Sequence, residues 1–248
     1  LIAEPGLKES LQAVIKLGKY KAALNPEPAK AFIVSVPSPI NKDNRPVLDH
    51  ILAASTAIAP HLRPGSLVIL ESTVPPGTTT GAFADALEAN SSISSSEYLV
   101  AHCPERVLPG KILHELVHND RVVGGITEEA SQAALNLYRN FVKGEIVLTN
   151  ATTAELIKLS ENIYRDVNIG LANELAAAAE SLGVDGWQVT AIANRHPRVN
   201  IHQPGPGVGG YCIPVASVFL NAGTDVSTPT IDGARHVNSI QPQRAADQ

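Results

Sequence analysis

Between residues 31 and 150 the chain alternates short apolar runs with segments whose apolar residues recur every three or four positions. The runs AFIVSVP (31–37), SLVILEST (66–73), EYLVAHCPE (97–105), DRVVGGI (120–126) and EIVLTN (145–150) are bounded by turn-forming residues, so they predict strands. The intervening RPVLDHILAASTAIAPHL (45–62), TTTGAFADALEA (78–89) and TEEASQAALNLYRNFV (127–142) have helical periodicity. Nearly continuous apolar strands joined by helices imply a mostly parallel sheet covered on both faces.

From Thr152 to Leu182 the pattern becomes one long helix, predicted to open on a Thr cap with Glu155 nearby and to end at Gly183. Shorter helices are predicted over 185–194 and after Cys212, with the Pro/Gly-rich residues 203–210 forming a loop. NSSISSSE (90–97) reads as an exposed loop, and there is no internal repeat.

Composition adds limits. The 248 residues are 44% hydrophobic and 17% charged, enough for a sizeable core and more than one domain. A net charge of -5 gives no electrostatic reason to bind nucleic acid or an anionic membrane surface. No apolar run reaches the length of a membrane span and no signal peptide opens the chain, so a cytoplasmic protein is expected. Two cysteines argue for free thiols at Cys103 and Cys212, not a disulfide framework. The chain has no methionine and begins LIAEPGL, as a fragment of a longer chain would.

Two motifs are set aside. GPGVGG (205–210) fits the dinucleotide fingerprint in letters, but no good strand precedes it. HELVH (114–118) fits a zinc-protease pattern, but its flanks leave little room for a long helix and no third ligand is at hand, so no metal is expected.

Other positions point to chemistry. Lys158 and Asn162 lie four apart in the long helix and share a face, which Arg165 or Asp166 continues as a polar stripe. Cys212 follows paired glycines and precedes a predicted helix, where unpaired amides and the helix dipole favour a thiolate. ESTVPPGTT (71–79) and CPERVLPG (103–110) fall at the carboxyl ends of predicted strands, the edge at which ligands bind in open α/β sheets. Thr73 and Glu105 are therefore expected to face a common crevice.

The ordered set EPGLKE, VPSPI, ESTVPPGTT, CPERVLPGK, AELIKLSENIYRDVNI and HPRVNIHQPGPGVGGYCIPV resembles the nucleotide-sugar 6-dehydrogenases of the UDP-glucose dehydrogenase superfamily. Its wording is most similar to the branch acting on UDP-N-acetyl-mannosamine and related N-acetylhexosamines. The resemblance implies oxidation of a sugar C6 alcohol to a carboxylate with two NAD, through a thioester on Cys212; the alternatives are a truncated or inactive paralogue acting as a dimeric core, or a one-step β-hydroxyacid dehydrogenase, which shares the long helix and its Lys/Asn pair. Lys158 and Asn162 would stabilise the developing oxyanion, Glu105 would act with a water as acid and base, and Thr73 would orient that water or the cofactor amide. Val36, Pro37, Ser72 and Thr73 would line the cofactor, while Arg106, Val107, Arg198, Gly207 and Gly209 would bind the UDP-sugar, Arg198 from across a homodimer.

The implied architecture is an α/β Rossmann-like NAD-binding domain over 1–150, incomplete at its N-terminus, then the long helix and an all-helical central domain over 151–240. The family's glycine fingerprint and its C-terminal UDP-binding domain are expected to lie outside these 248 residues, and Ala216 stands where the family usually has an aspartate. The long helix, rich in small residues at ANELAAAAESL, predicts a homodimer.

Overall fold

The computed structural model describes residues 4–247. The chain divides into two units, one holding the described residues up to Pro39 and Val47–Lys158, the other Ile40–Pro46 and Leu159 onward.

The first unit is built on five strands, β1 (Ala31–Val34), β2 (Leu67–Leu70), β3 (Leu99–His102), β4 (Arg121–Gly125) and β5 (Ile146–Asn150), lying side by side in chain order. β1/β2, β2/β3 and β4/β5 pair in parallel, and β3/β4 pair antiparallel. All five fall within the apolar runs that predicted them.

Alternation along β2 assigns the two faces. Val68 and Leu70 point into a core with Ile51 and Ile58 of α2 (Asp49–Ile58) and Leu87 of α3 (Ala84–Asn90). Leu67 and Ile69 point into a second core with Ala134 and Tyr138 of α5 (Glu128–Tyr138). The two glycines that end β4 are steric requirements: a Cβ on Gly124 would collide with the Asn150 carbonyl, and one on Gly125 with the Thr127 carbonyl. α1 (Leu7–Lys16) and α4 (Ile112–His118) complete this unit, α4 being the short HELVH turn.

The long helix is α6 (Ala151–Ser181), whose last residue in the first unit is Lys158. Its start differs from the expectation. The Asn150 side chain, not a threonine, accepts from the Thr153 amide at 2.8 Å, and the Glu155 carboxylate turns away from the helix end to another segment. Asparagine is as good a cap as threonine, and a buried loop competes for the glutamate.

In the second unit α6 is joined by α7 (Gly186–Ala193), α8 (Pro214–Ala222) and α9 (Pro229–Asp247). Leu159 and Ile163 of α6 pack with Val215, Ala216 and Phe219 of α8. α9 was not legible as a helix, because its one fully buried side chain is polar, Asn238, and it carries an internal Pro242.

Phe219 is fully buried and Ile33 is 50% exposed. Phe219→Ala is expected to lower the unfolding free energy by about 3–5 kcal/mol and Ile33→Ala by about 1 kcal/mol or less, as read by denaturant titration.

Candidate active site

In the first unit the carboxyl ends of β1 and β2 are stitched together by hydroxyls. Ser72 Oγ accepts from the Val36 amide at 2.8 Å and donates to the Val36 carbonyl at 2.7 Å. Ser38 Oγ donates to the Thr73 carbonyl at 2.7 Å. Ser72 is buried and Thr73 half-buried, while Pro37 is exposed. Ser72, expected to line a cofactor, thus spends its hydroxyl on fixing the shape of the rim.

Just before this rim, Glu71 accepts from the Tyr138 hydroxyl at 2.6 Å and lies 3.7 Å from the Arg121 guanidinium. That guanidinium stacks on the Tyr138 ring and donates to Cys103 Sγ at 3.6 Å. Burial is the main influence on the Cys103 thiol and pushes its pKa up, so Cys103 is an inert core group.

The segment after β3 carries Glu105, half-buried, whose carboxylate accepts from the Val107 amide. Arg106 Nη1 donates to the Asp120 carbonyl at 2.9 Å. The turn that follows is held by a residue the sequence reading left unassigned: buried Glu4 accepts from the Gly110 and Ile112 amides, each at 2.7 Å. In α4 the His114 and His118 rings stack at 4.2 Å, and His118 Nδ1 engages the His114 carbonyl. No trio of His, Cys, Asp or Glu among the described residues is placed to hold a metal.

Glu155 is a second residue the reading undervalued. Its buried carboxylate accepts from the Gly77 amide at 2.6 Å, the Thr79 amide at 2.7 Å and the Thr79 hydroxyl at 2.5 Å. Burial raises its pKa and these three donors partly offset the rise. The clamp pins the PPGTT turn, which begins two residues beyond Thr73, to the first turns of α6. Lys158, half-buried, follows Glu155 by three residues.

In the second unit α6 meets the expected nucleophile. Asn162, 1% exposed, donates from Nδ2 to the Cys212 carbonyl at 3.0 Å, and its Oδ1 accepts from Arg165 at 2.5 Å. Cys212 is exposed and stands two residues before Pro214, the first residue of α8. The thiol is therefore accessible on a tethered backbone, as a nucleophile requires.

Gly207 has φ +127°, and a Cβ there would press on Pro242, so glycine is required; Gly209 has no neighbour within 4 Å of a built Cβ. Arg198 is exposed, and its amide contacts His196 Nδ1 at 3.3 Å. Asp166, read as part of a polar stripe, is 1% exposed and paired with Arg235. Ala216 is fully buried among apolar side chains.

The chemistry on offer is an accessible thiol, a lysine one helical turn from an asparagine, and a carboxylate at a strand's carboxyl end. Small uncharged residues at the carboxyl ends of adjacent parallel strands form the kind of edge at which ligands bind in open α/β sheets. The glycine-rich loop 205–210 lies in coil in the second unit and does not form a strand-to-helix phosphate seat.

Comparisons with known proteins show the family. Residues 1–142 match the family model described as "UDP-glucose/GDP-mannose dehydrogenase family, NAD binding domain", and residues 152–239 match that family's central domain. The chain is 48% identical over its whole length to an NDP-N-acetyl-D-galactosaminuronic acid dehydrogenase of Ralstonia solanacearum, covering 60% of that protein. It is 47% identical over 97% of its length to a UDP-N-acetyl-D-mannosamine dehydrogenase of Campylobacter jejuni, covering 61% of it. Among solved structures, a UDP-D-ManNAc dehydrogenase from Pyrococcus horikoshii superimposes with a TM-score of 0.95 at 44% identity, over 99% of this chain and 59% of that one. The chain thus spans about 60% of the length of the curated relatives it matches.

His102, which ends β3, gives this unit a pH signature. Neither ring nitrogen has a hydrogen-bond partner among the described residues, and burial pushes its pKa down from 6.5 to about 3. The unfolded chain therefore takes up a proton that the folded one refuses. Stability contributed by the neutral ring is complete above the unfolded value and falls by about 1.4 kcal/mol per pH unit below it. Denaturant titrations from pH 7 to 4 should show a shallower acid slope for His102→Leu than for the wild type; parallel slopes would contradict the assignment.

Proposed function

Because the chain belongs to the UDP-glucose/GDP-mannose dehydrogenase family, we propose that it oxidises the C6 hydroxymethyl group of a UDP-N-acetylhexosamine, UDP-N-acetyl-D-mannosamine foremost, to a carboxylate with two NAD. The observation that carries this reading is the exposed thiol of Cys212, whose carbonyl is held at 3.0 Å by Asn162, one helical turn beyond Lys158. A one-step alcohol oxidation has no use for that thiol.

NAD, when bound, accepts the hydride from C6 in each oxidation; Val36, Pro37, Ser72 and Thr73 are the residues proposed to hold it. Glu105, through a water, takes the proton of the C6 hydroxyl as the alcohol becomes an aldehyde. The Cys212 thiolate adds to the aldehyde carbon, forming a C–S bond and leaving negative charge on the C6 oxygen. Loss of a second hydride from that adduct gives a thioester. Glu105, its first proton released to solvent, deprotonates a water that attacks the thioester; the C–S bond breaks, the thiolate departs, and the product acid gives up its proton to solvent as the carboxylate.

Each of these steps places negative charge on the same oxygen, so one fixed cation serves them all. Lys158 supplies it, and Asn162 adds an amide donor to its task of holding the Cys212 carbonyl. With alanine at 216, hydrolysis rests on Glu105 and Lys158.

Arg106, Val107, Arg198, Gly207 and Gly209 are assigned to the UDP-sugar. The two arginines can meet the diphosphate and the two glycines allow close approach of the backbone to the ligand.

A homodimer is part of the proposal. Leu182, Val184, Trp187 and Ile192, at the end of α6 and along α7, are 77%, 51%, 55% and 57% exposed, an apolar surface of the kind that subunits cover. A reducing, cytoplasmic compartment suits a chemistry that depends on a free thiol. No helix among the described residues is long and apolar enough to cross a membrane.

The test uses the full-length protein with UDP-N-acetyl-D-mannosamine. Two NADH and one uronic acid per sugar are expected. Lys158→Ala should lower kcat by about 100- to 1,000-fold, and Cys212→Ser should abolish uronic acid formation. One NADH per sugar with aldehyde as product, or undiminished uronic acid from Cys212→Ser, would refute the thioester route.

A further inference from the structure

A cluster of buried polar side chains lies where four elements of the first unit converge. Glu71 immediately follows β2, Cys103 immediately follows β3, Arg121 opens β4 and Tyr138 closes α5. One guanidinium nitrogen, Arg121 Nη1, reaches both Glu71 Oε1 at 3.7 Å and Cys103 Sγ at 3.6 Å. The Tyr138 hydroxyl donates to the same Glu71 oxygen at 2.6 Å. The guanidinium carbon lies 4.7 Å from the centre of the Tyr138 ring and 5.7 Å from that of Phe141. Arg121, Cys103 and Tyr138 are buried, and the Glu71 side chain is 17% exposed.

A buried cation and a largely buried carboxylate are held together by the cost of parting them. Lysine is no substitute for this arginine, because the planar guanidinium lies against aromatic rings while its edge meets two partners. The cluster also sits where the backbone ladders stop. The Cys103 amide donates to the Leu70 carbonyl at 3.0 Å, but Pro104 has no N–H to continue, and the β3/β4 ladder ends at His102 opposite Gly124. Side chains then take over. Arg121 meets Cys103, and Arg106 Nη1 donates at 2.9 Å to the carbonyl of Asp120, the residue before Arg121.

Thr73 stands two residues beyond Glu71, and Glu105 two residues beyond Cys103. We propose that Arg121 is a positioning residue, the centre of a cluster that fixes the carboxyl ends of β2 and β3 against each other and so sets the spacing of Thr73 from Glu105. It acts through Glu71 and Cys103 and not on the reacting atoms. The consequence for turnover rests on the roles proposed above for Thr73 and Glu105; the consequence for the two segments does not.

The experiment compares wild type, Arg121→Lys and Tyr138→Phe in the full-length protein, each shown to be folded by circular dichroism. Arg121→Lys keeps the charge and loses the stacked plane and its shared edge. Tyr138→Phe keeps the ring and loses the hydroxyl on Glu71. Amide hydrogen exchange is followed over residues 71–75 and 103–108, and NADH formation from UDP-N-acetyl-D-mannosamine is timed in a single turnover at saturating NAD. Both variants are expected to speed exchange in the two segments by about tenfold, the loss of a buried hydrogen bond. Hydride transfer should slow by about 10- to 100-fold, as misplacement by about 1 Å does. A cluster that only stabilised the sheet would lower the unfolding midpoint and leave the rate per folded molecule unchanged.

If Arg121→Lys folds and forms NADH within about twofold of the wild-type rate, below what a misplaced group produces, the proposal fails. Should Arg121→Lys not fold, the same criterion applied to Tyr138→Phe decides. If the wild type forms no NADH from any UDP-sugar, the functional reading falls, and exchange still decides this one: unchanged exchange over 71–75 and 103–108 would overturn the hold of the cluster on the two segments.

Discussion

The structure depends on one constraint: polar side chains buried along α6 have to be hydrogen-bonded, and the groups that satisfy them belong to loops and to α9. Glu155, Asn162, Asp166 and Asn173 are each 1% exposed. Their spacing of seven, four and seven residues keeps them on one stripe of the helix. An unpaired buried carboxylate or amide costs far more than the bond it forms gains. Each residue therefore recruits a partner: Glu155 the PPGTT turn, Asn162 the Cys212 carbonyl, Asp166 the side chains of α9, and Asn173 the Gly205 amide.

This arrangement places reactive groups on a scaffold without making them part of the core. Cys212 is exposed, yet its backbone is tethered by a buried amide. Lys158 is half-buried, one turn after a glutamate that is fully committed to holding a loop. The first unit applies the same logic at its strand ends. Ser72, Ser38 and Glu4 spend their polar atoms on backbone groups of neighbouring loops, which leaves Thr73 and Glu105 on defined rims. Preorganisation of this kind is what lets a few groups stabilise a developing charge without moving to meet it.

The two cysteines show how environment divides identical chemistry. Cys103 sits beside Arg121 and Tyr138 inside the second core of the sheet, where burial keeps its thiol protonated. Cys212 stands at the mouth of α8, in reach of solvent. The same contrast separates the histidines: His102 is sealed and neutral, whereas His114 and His118 stack on each other at the surface.

The five strands, the long helix and the helix after Cys212 were determined by the sequence alone, because apolar periodicity reports a one-sided or two-sided burial directly. So were the motifs that identify the family, since their letters and order need no coordinates. α9 was not legible, for it is held by Asn238 and Arg235, and a polar side chain looks the same in sequence whether it meets water or a buried carboxylate. The stripe 155–173 was open to misreading for that reason, as were Glu4 and the capping role of Asn150. Only the tertiary structure decides which polar groups are buried, because their partners lie 50 to 78 residues away along the chain for Asn162 and Glu155. A hydrogen bond over that separation leaves no local pattern.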